Sequence, residues 1–240
     1  NKTYHIGTGQ SSDSLMWGNR EGILDALFTF AFENPNVILE FKTKSDNVKY
    51  FLENDVPKNI LCTYSLNTQT IIDNEEHLTA SLNKRVAAAR KLADKGVKVG
   101  FHFHPIVEYE NYLQEYKEVY DKLISEFDVG EVALVSFGTL TFIKPVIKQL
   151  REREFRTKIT QIPHAEASGK TSYPDATKVA MFKHAYESFK TWHKDVFFYL
   201  CMEEHQMWGK TFGHQYSTNN DFERAMLSAY ADKLGMEFLI

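Results

Sequence analysis

Short apolar runs alternate along the chain with longer segments whose apolar residues recur at helical spacing. The apolar runs cover residues 3–6, 37–41, 59–64, 97–103 and 131–136. The segments with helical spacing cover residues 23–32, 45–52, 77–95, 109–127 and 145–154. Strands separated by helices of this length are typical of βαβ units and a parallel sheet. The pattern therefore predicts an α/β fold with five mostly parallel strands before residue 137.

The pattern changes after residue 157. Residues 160–173 lack periodicity and predict an extended loop. Beyond this loop the pattern predicts a strand over 196–200 and helices over 174–194, 203–208 and 220–234. We therefore divide the chain into a βα barrel core, residues 1–158, and a C-terminal α+β extension packed on the barrel, residues 159–240.

Net charge argues against a surface that is basic throughout. The chain has 240 residues and a formal net charge of −4, which excludes a global basic field for nucleic acid. A local basic patch lies at the end of the predicted core, at Lys144, Lys148, Arg151, Arg153, Arg156 and Lys158. We interpret it as a solvated helix face that Glu152 and Glu154 balance.

Cysteine usage is sparse. Cys62 and Cys201 are far apart in the sequence, which excludes a disulfide framework and a self-contained cysteine-ligated zinc or iron–sulfur site. The sequence shows neither a signal peptide nor a membrane-length apolar run, so we expect a cytoplasmic protein with no membrane partner.

A glycine-rich loop follows the first predicted strand. It begins Gly7-Thr8-Gly9 and continues through Ser11, Ser12 and Asp13 to the first predicted helix. Glycines in such a turn let backbone N–H groups approach a ligand, and the short polar side chains add hydrogen-bonding groups. The alternative interpretation is an ordinary βα turn with a serine or aspartate helix cap.

Polar residues also follow the next predicted strands. Lys44 comes after the second strand, and Ser65 and Asn67 come at the end of the third. The functional residues of parallel barrels lie just after the carboxyl ends of the strands, so these three side chains predict a polar-ligand site. The alternatives are a surface lysine and ordinary turn chemistry at a strand end.

Two histidines share one face of the fourth predicted strand. His102 and His104 have the spacing of a metal-binding pair in metal-dependent hydrolases, with His164, His205 and His214 as further candidate ligands. The alternative is that these histidines are neutral and satisfy local hydrogen bonds.

Several sequence blocks occur in a fixed order. They read GTGQSSDSL, FKTKSDNV, YSLN, RVAAARK and GVKVGF. In this combination the chain resembles the spore photoproduct lyase family of radical S-adenosylmethionine proteins. The resemblance implies a partial (β/α) barrel of the radical S-adenosylmethionine type, with a mostly parallel sheet.

The resemblance also implies a cofactor site for S-adenosylmethionine. Lys44 matches the lysine that faces the carboxylate of the cofactor, and the glycine-rich loop matches the segment that holds its amino group. The cofactor-binding residues implied in this way are Gly7, Thr8, Gly9, Ser12, Lys44, Ser65 and Asn67.

Two departures from the family pattern affect the expected chemistry. The Cys-x3-Cys-x2-Cys segment that ligates the iron–sulfur cluster is absent, and we expect it to precede residue 1. A 4Fe–4S cluster is therefore expected only with that upstream segment, because Cys62 and Cys201 cannot supply three thiolates. Gln10 stands where the spore enzyme has its hydrogen-donor cysteine.

Our leading hypothesis is a spore photoproduct lyase-like radical S-adenosylmethionine protein. In its complete form it is expected to be an enzyme acting on DNA photolesions or another nucleic-acid substrate, whereas this chain alone is expected to be inactive. One alternative is a non-catalytic module that binds S-adenosylmethionine or nucleic acid. A second is a metal-dependent hydrolase that uses His102 and His104.

Overall fold

A computed structural model describes residues 2–9, 12–153, 157, 159, 165–167 and 170–239. Its strands are β1 (Tyr4–Thr8), β2 (Val37–Thr43), β3 (Ile60–Ser65), β4 (Lys98–Ile106), β5 (Val132–Thr139), β6 (Thr141–Ile143), β7 (Ala165–Ala167), β8 (Lys170–Ser172) and β9 (Phe197–Leu200). Its α-helices are α1 (Ile23–Glu33), α2 (Lys49–Glu53), α3 (Gln69–Glu75), α4 (Leu82–Asp94), α5 (Tyr112–Glu126), α6 (Lys144–Glu152), α7 (Asp175–Ser188), α8 (His205–Phe212) and α9 (Asn219–Leu234).

Six strands form one parallel sheet in the order β1-β2-β3-β4-β5-β9. Every neighbouring pair is parallel, with Phe41 opposite Cys62 and Tyr64 opposite Phe101. The prediction of a mostly parallel sheet with at least five strands is confirmed. A small antiparallel sheet, in the order β6-β8-β7, lies beyond β5 in the sequence.

The two faces of the parallel sheet differ because side chains alternate along each strand. On one face Phe41, Tyr64 and Phe101 belong to the main apolar core, together with the buried residues of the surrounding helices. On the other face Glu40 and His102 are buried polar groups that hydrogen-bond to each other. We call this second side of the sheet the lumen of the half-barrel.

Helix α9 closes one end of the lumen. Leu227, Tyr230 and Leu234 form a second apolar cluster with Ile38 and Leu134 of the sheet. The helix begins with a capping box, in which the Thr218 hydroxyl accepts from the Asp221 N–H and the Asp221 carboxylate accepts from the Thr218 N–H. Polar residues lie at the opposite end of the lumen, at the carboxyl ends of the strands.

Three elements differ from the sequence predictions. The helix predicted over 77–95 begins at Leu82, after a turn in which Leu78 has a φ of 61°. The predicted extended loop over 160–173 contains β7 and β8 among its described residues. The strand predicted in the extension is β9, which pairs with β5 and so completes the main sheet. The division at residue 158 stays a prediction, although the sheet itself draws on both parts.

Helix α6 carries the described part of the basic patch. Lys148 lies 3.7 Å from Glu152, one turn along the helix, as a solvated helix face predicts. Arg156 and Lys158 lie outside the described residues. In the part of the chain that the structure describes, every helix is too short or too polar to cross a membrane.

Candidate cofactor site at the carboxyl ends of the strands

A cavity of about 630 Å³ opens at the carboxyl ends of the parallel strands. Four predicted site residues line it: Gly9, Ser12, Lys44 and Ser65. Its volume lies in the range of small-molecule sites, which is about 300–1,000 Å³. The geometry thus brings the loop after β1 together with the ends of β2 and β3.

The loop after β1 requires glycine at position 9. Gly9 has a φ of 78°, which is in the left-handed region that side chains disfavour. A Cβ atom there would overlap Oγ of Ser14 and would lie 2.5 Å from the carbonyl oxygen of Lys42. The backbone of the loop can approach β2 this closely only without a side chain. Gly7 and Thr8 precede this point, in β1, and are not lining residues of the cavity.

Asp13 anchors the same loop to the end of β2. Its Oδ1 accepts from the Leu15 and Met16 N–H groups at 2.9 Å and from the Thr43 hydroxyl at 2.7 Å. Its Oδ2 accepts from the Lys44 N–H at 2.6 Å. Asp13 therefore fixes the position of Lys44 relative to the loop, a structural role that the sequence analysis did not assign.

Lys44 belongs to a buried charge cluster in the wall of the cavity. Its Nζ lies 3.0 Å from Oε1 of Glu76, and an Nη atom of Arg85 lies 2.8 Å from Oε2 of the same carboxylate. Burial raises the pKa of the Glu76 carboxyl, but the two cations outweigh this effect and hold the pKa below its ordinary value. The Lys44 side chain is one-third exposed, so it can reach a ligand without leaving Glu76.

Ser65 and Asn67 do not share one environment. Ser65 lines the cavity, whereas Asn67 is fully buried beyond the end of β3. The Asn67 amide donates to the carbonyl of Pro105 at 3.1 Å, and its Oδ1 accepts from the Tyr116 hydroxyl at 2.5 Å. Asn67 therefore holds the loop after β3, and its role as a direct ligand contact stays a prediction.

A buried hydrogen-bond network fills the middle of the lumen. Oε1 of Glu40 accepts from the His102 ring at 2.8 Å and from the Thr63 hydroxyl at 2.5 Å. Oε2 of Glu40 accepts from the His5 ring at 2.7 Å. The sequence analysis missed Glu40, because a carboxylate inside an apolar strand does not stand out from the pattern.

The network continues from His102 to the cavity. Oγ of Ser136 lies 2.6 Å from Nδ1 of His102 and 2.9 Å from Nε2 of His104. His104 in turn lines the cavity. Both nitrogens of His102 are thus used within the protein. His102 is therefore not free to act as the metal ligand that the hydrolase hypothesis requires. The described residues also contain no cluster of three or more candidate metal ligands.

Electrostatics in the lumen favour an ionised carboxylate and neutral imidazoles. Burial raises the pKa of Glu40, but the hydrogen bonds from His102 and His5 outweigh this effect and hold the pKa well below its ordinary value. Burial also lowers the pKa of His102 and lowers that of His104 strongly. At neutral pH Glu40 is therefore ionised, and the His102 and His104 rings are neutral.

Lys42 is a further cation at the cavity. It lies two residues after Glu40, lines the cavity and has no hydrogen-bond or ion-pair partner among the described residues. Burial lowers the pKa of Lys42, although the Glu40 carboxylate opposes this shift. Side chains alternate between the two faces of a strand, so Lys42 lies on the same face as Glu40. This alternation could have identified Lys42 from the sequence.

The two cysteines lie on opposite faces of the sheet. Cys62 is part of the core that the helices cover, and burial raises the pKa of its thiol far above the ordinary value. Cys201 follows β9 close to Gly138, where burial also raises the thiol pKa and Lys42 opposes the shift. These two thiols cannot ligate a common cluster, so the described residues do not fit an iron–sulfur group.

Several residues discussed in the sequence analysis cannot be placed. Gln10, Ser11 and His164 lie outside the described residues. Among the other histidines, Nε2 of His205 lies 3.2 Å from Oδ1 of Asn219, and the His214 ring stacks on Phe212.

Comparison with known proteins gives consistent matches. The sequence model of the family described as "Spore photoproduct lyase" matches residues 8–189. Spore photoproduct lyases from Geobacillus sp. (strain Y412MC61) and Clostridium acetobutylicum are 28% identical over 123 residues and 30% identical over 111 residues. These alignments cover 50% and 46% of this chain, but only 36% and 33% of the relatives. The matched part is thus about a third of their length.

Solved structures show the same fold. A spore photoproduct lyase complexed with dinucleoside spore photoproduct has a TM-score of 0.72 at 22% identity. A variant of a spore photoproduct lyase with bound AdoMet and dinucleoside spore photoproduct has a TM-score of 0.70 at 20% identity. Both matches cover 83% of this chain and 62% of the other. Because the family model matches most of its residues, this chain belongs to the spore photoproduct lyase family.

Proposed function

We propose that the chain is the cofactor-binding barrel of a radical S-adenosylmethionine enzyme that acts on DNA photolesions. The observation that carries this proposal is the cavity in which Gly9, Ser12, Lys44 and Ser65 meet, in a chain of the spore photoproduct lyase family. Family membership favours an enzyme over a non-catalytic binding module. A cytoplasmic location, expected from the sequence, is part of the proposal.

The residues of the cavity suit S-adenosylmethionine. Lys44 and Lys42 offer cationic groups for the carboxylate of its methionine part, and a charge-assisted hydrogen bond of this kind contributes about 1.5–3 kcal/mol. The backbone of the Gly9 loop approaches the same space without a side chain. S-adenosylmethionine supplies radical chemistry only after one-electron cleavage at an iron–sulfur cluster, and the thiols described above do not hold such a cluster.

The contribution of this chain is therefore binding and orientation. Glu76 positions the Lys44 ammonium at the wall, and Arg85 shares the charge of Glu76 so that Lys44 can turn one donor to a ligand. Asp13 holds the backbone at Lys44 and the loop together. Without a cluster we expect weak cofactor binding, with a dissociation constant that is submillimolar at best. A millimolar dissociation constant corresponds to a binding free energy of about −4.1 kcal/mol.

The proposal of a nucleic-acid substrate is supported by the ligand of the solved relatives. The solved relatives bind a dinucleoside spore photoproduct. In this chain a second, smaller cavity of about 260 Å³ adjoins His104, with Leu140 and Phe142 among its lining residues. We propose that this mainly apolar space receives a base of the damaged DNA, next to the cofactor.

Titration calorimetry with S-adenosylmethionine tests the cofactor site. Lys44→Ala is expected to weaken binding about tenfold or more, because a charge-assisted hydrogen bond is lost. Lys49→Ala is the matched control, since Lys49 lies on α2 with a largely exposed side chain whose Nζ is 3.7 Å from Oε1 of Glu53. Tight binding that Lys44→Ala leaves unchanged would contradict the role assigned to Lys44.

A further inference from the structure

His104 lies at the end of a continuous hydrogen-bond chain and at the junction of two cavities. The chain runs from His5 through Glu40, His102 and Ser136 to His104, with steps of 2.7, 2.8, 2.6 and 2.9 Å. His104 lines both the large cavity and the smaller apolar cavity. Nothing in the proposed cofactor contacts explains why such a chain should end there.

The ionised Glu40 carboxylate fixes the direction of every hydrogen bond along the chain. A carboxylate only accepts, so Nε2 of His102 must carry a proton and donate to it. The His102 ring is neutral, and its Nδ1 is then an acceptor. The hydroxyl of Ser136 has one proton and must donate it to this Nδ1.

The same reasoning fixes the tautomer of His104. Because the Ser136 proton is used on His102, Oγ of Ser136 can only accept from Nε2 of His104. A neutral His104 with a proton on Nε2 has an unprotonated Nδ1. No described residue makes a hydrogen bond to this Nδ1. The His104 ring is half-buried and lines the cavity, where its Nδ1 can meet a ligand.

The cavity therefore offers a neutral imidazole acceptor as well as ammonium and carboxyl side chains, among them Lys42, Lys44 and Asp46. The cations Lys42 and Lys44 favour an anionic group, whereas Nδ1 of His104 favours an N–H group that carries no charge. The ligands of the proposed function are nucleoside derivatives, and their bases adenine and thymine present such N–H donors on a planar ring.

We propose that Nδ1 of His104 accepts a hydrogen bond from an N–H group of a nucleobase bound in the cavity. This inference rests on the proposed function and adds a specificity-determining residue to it. The N–H group comes either from the amino group of adenine in S-adenosylmethionine or from the imide of a thymine base. Ser136 and Glu40 act as positioning residues, because they hold the His104 tautomer without touching the ligand.

Histidine ¹⁵N chemical shifts of the ligand-free chain test the tautomer directly. The expected spectrum at neutral pH shows His104 protonated on Nε2, with an unprotonated Nδ1. In Ser136→Ala the acceptor for Nε2 is lost, so we expect a mixture of the two tautomers. A wild-type His104 that is protonated on Nδ1 would overturn the proposal whatever the ligand.

Calorimetric titrations test the ligand contact. We expect His104→Leu to weaken binding roughly three- to tenfold, the effect of one neutral hydrogen bond, and His104→Asn to restore much of it, because its Oδ1 can stand near the position of Nδ1. Weaker S-adenosylmethionine binding by His104→Leu identifies the adenine amino group. Weaker thymidine binding identifies the imide, provided that N3-methylthymidine binds the wild type poorly.

The outcomes separate this inference from the proposed function. If both S-adenosylmethionine and thymidine bind, and each binds equally well to wild type and His104→Leu, the inference alone is overturned. Failure of both probes to bind the wild-type chain would overturn the proposed function together with the inference.

Discussion

Two carboxylates in this half-barrel each lie between two side chains that contain nitrogen, but the types of side chain differ. In the cavity wall Glu76 lies between Lys44 and Arg85, which are both cationic at neutral pH. In the lumen Glu40 lies between two histidines, His5 and His102. The first cluster is a set of fixed charges that can hold an anion. The second is a set of directed hydrogen bonds between a carboxylate and two imidazole rings.

One edge of the sheet thus offers two kinds of recognition. Fixed charges attract a charged group but do not define its orientation closely, since Lys44 is a point charge on a flexible stem. The lumen network ends in the His104 ring, whose acceptor has one direction. We expect the wall to contribute affinity and the network to contribute selectivity.

Removal of Arg85 should have the largest effect on stability. Its guanidinium is fully buried and also donates to the carbonyls of Ser65 and Ala80 at 2.8 Å. Arg85→Met leaves Glu76 buried with one cation, which should lower the free energy of unfolding by about 3–5 kcal/mol. Denaturant unfolding measures this, and Lys84→Met on the exposed side of α4 is the control. A loss below about 1 kcal/mol would show that the cluster is not electrostatically coupled.

Neutralising Glu40 should have a smaller but clear effect. Glu40→Gln keeps the size of the side chain but removes the charge that accepts from His5, His102 and Thr63. We expect a loss of about 1.5–3 kcal/mol in the free energy of unfolding, the range for a hydrogen bond to a charged group. Glu53→Gln is a matched control, because the Glu53 side chain is mostly exposed. Equal stability of the two variants would be incompatible with an ionised Glu40.

The pH dependence should separate the two clusters. The pKa values of His102 and His104 lie below their ordinary value of 6.5 in the folded state, so the unfolded chain binds more protons as the pH falls below about 6.5. The free energy of unfolding should therefore decrease from pH 7 towards pH 5, by at most about 1.4 kcal/mol per pH unit for each histidine.

The carboxylates act in a lower window. The pKa values of Glu40 and Glu76 are lowered from 4.5, so the stability they contribute is present above that pH and is lost as the pH falls further. Unfolding of wild type and His104→Asn at several pH values tests the histidine contribution in the upper window, and the variant should have a shallower slope between pH 7 and 5. Lys42 and the Tyr199 ring face the same network and are unchanged in both proteins. Identical slopes would contradict a neutral, buried His104.

Much of the fold could be predicted from the sequence because local patterns determine it. Glycine at position 96 ends α4 with a φ of 90°, and the apolar runs mark five of the six parallel strands. The pairing of β9 with β5 could not be predicted, because 57 residues separate Thr139 from Phe197 and periodicity carries no information about distant partners.

The residues at the strand ends could be predicted from the sequence, but the polar groups inside the lumen could not. Strand ends identified Gly9, Ser12, Lys44 and Ser65, since the ends of parallel strands meet at one edge. Asn67 was expected beside Ser65, but β3 ends at Ser65 and the chain turns away. The lumen groups Glu40 and Lys42 lie within or directly after an apolar run, where the pattern alone does not tell which face of the strand is enclosed.

A crystal structure of the chain grown with S-adenosylmethionine would locate the cofactor relative to Lys44. We expect the ligand to occupy the cavity at the carboxyl ends of the strands, with its carboxylate about 3 Å from Nζ of Lys44. A ligand bound elsewhere on the chain, or a carboxylate more than about 6 Å, roughly two hydrogen-bond lengths, from Lys44, would contradict it.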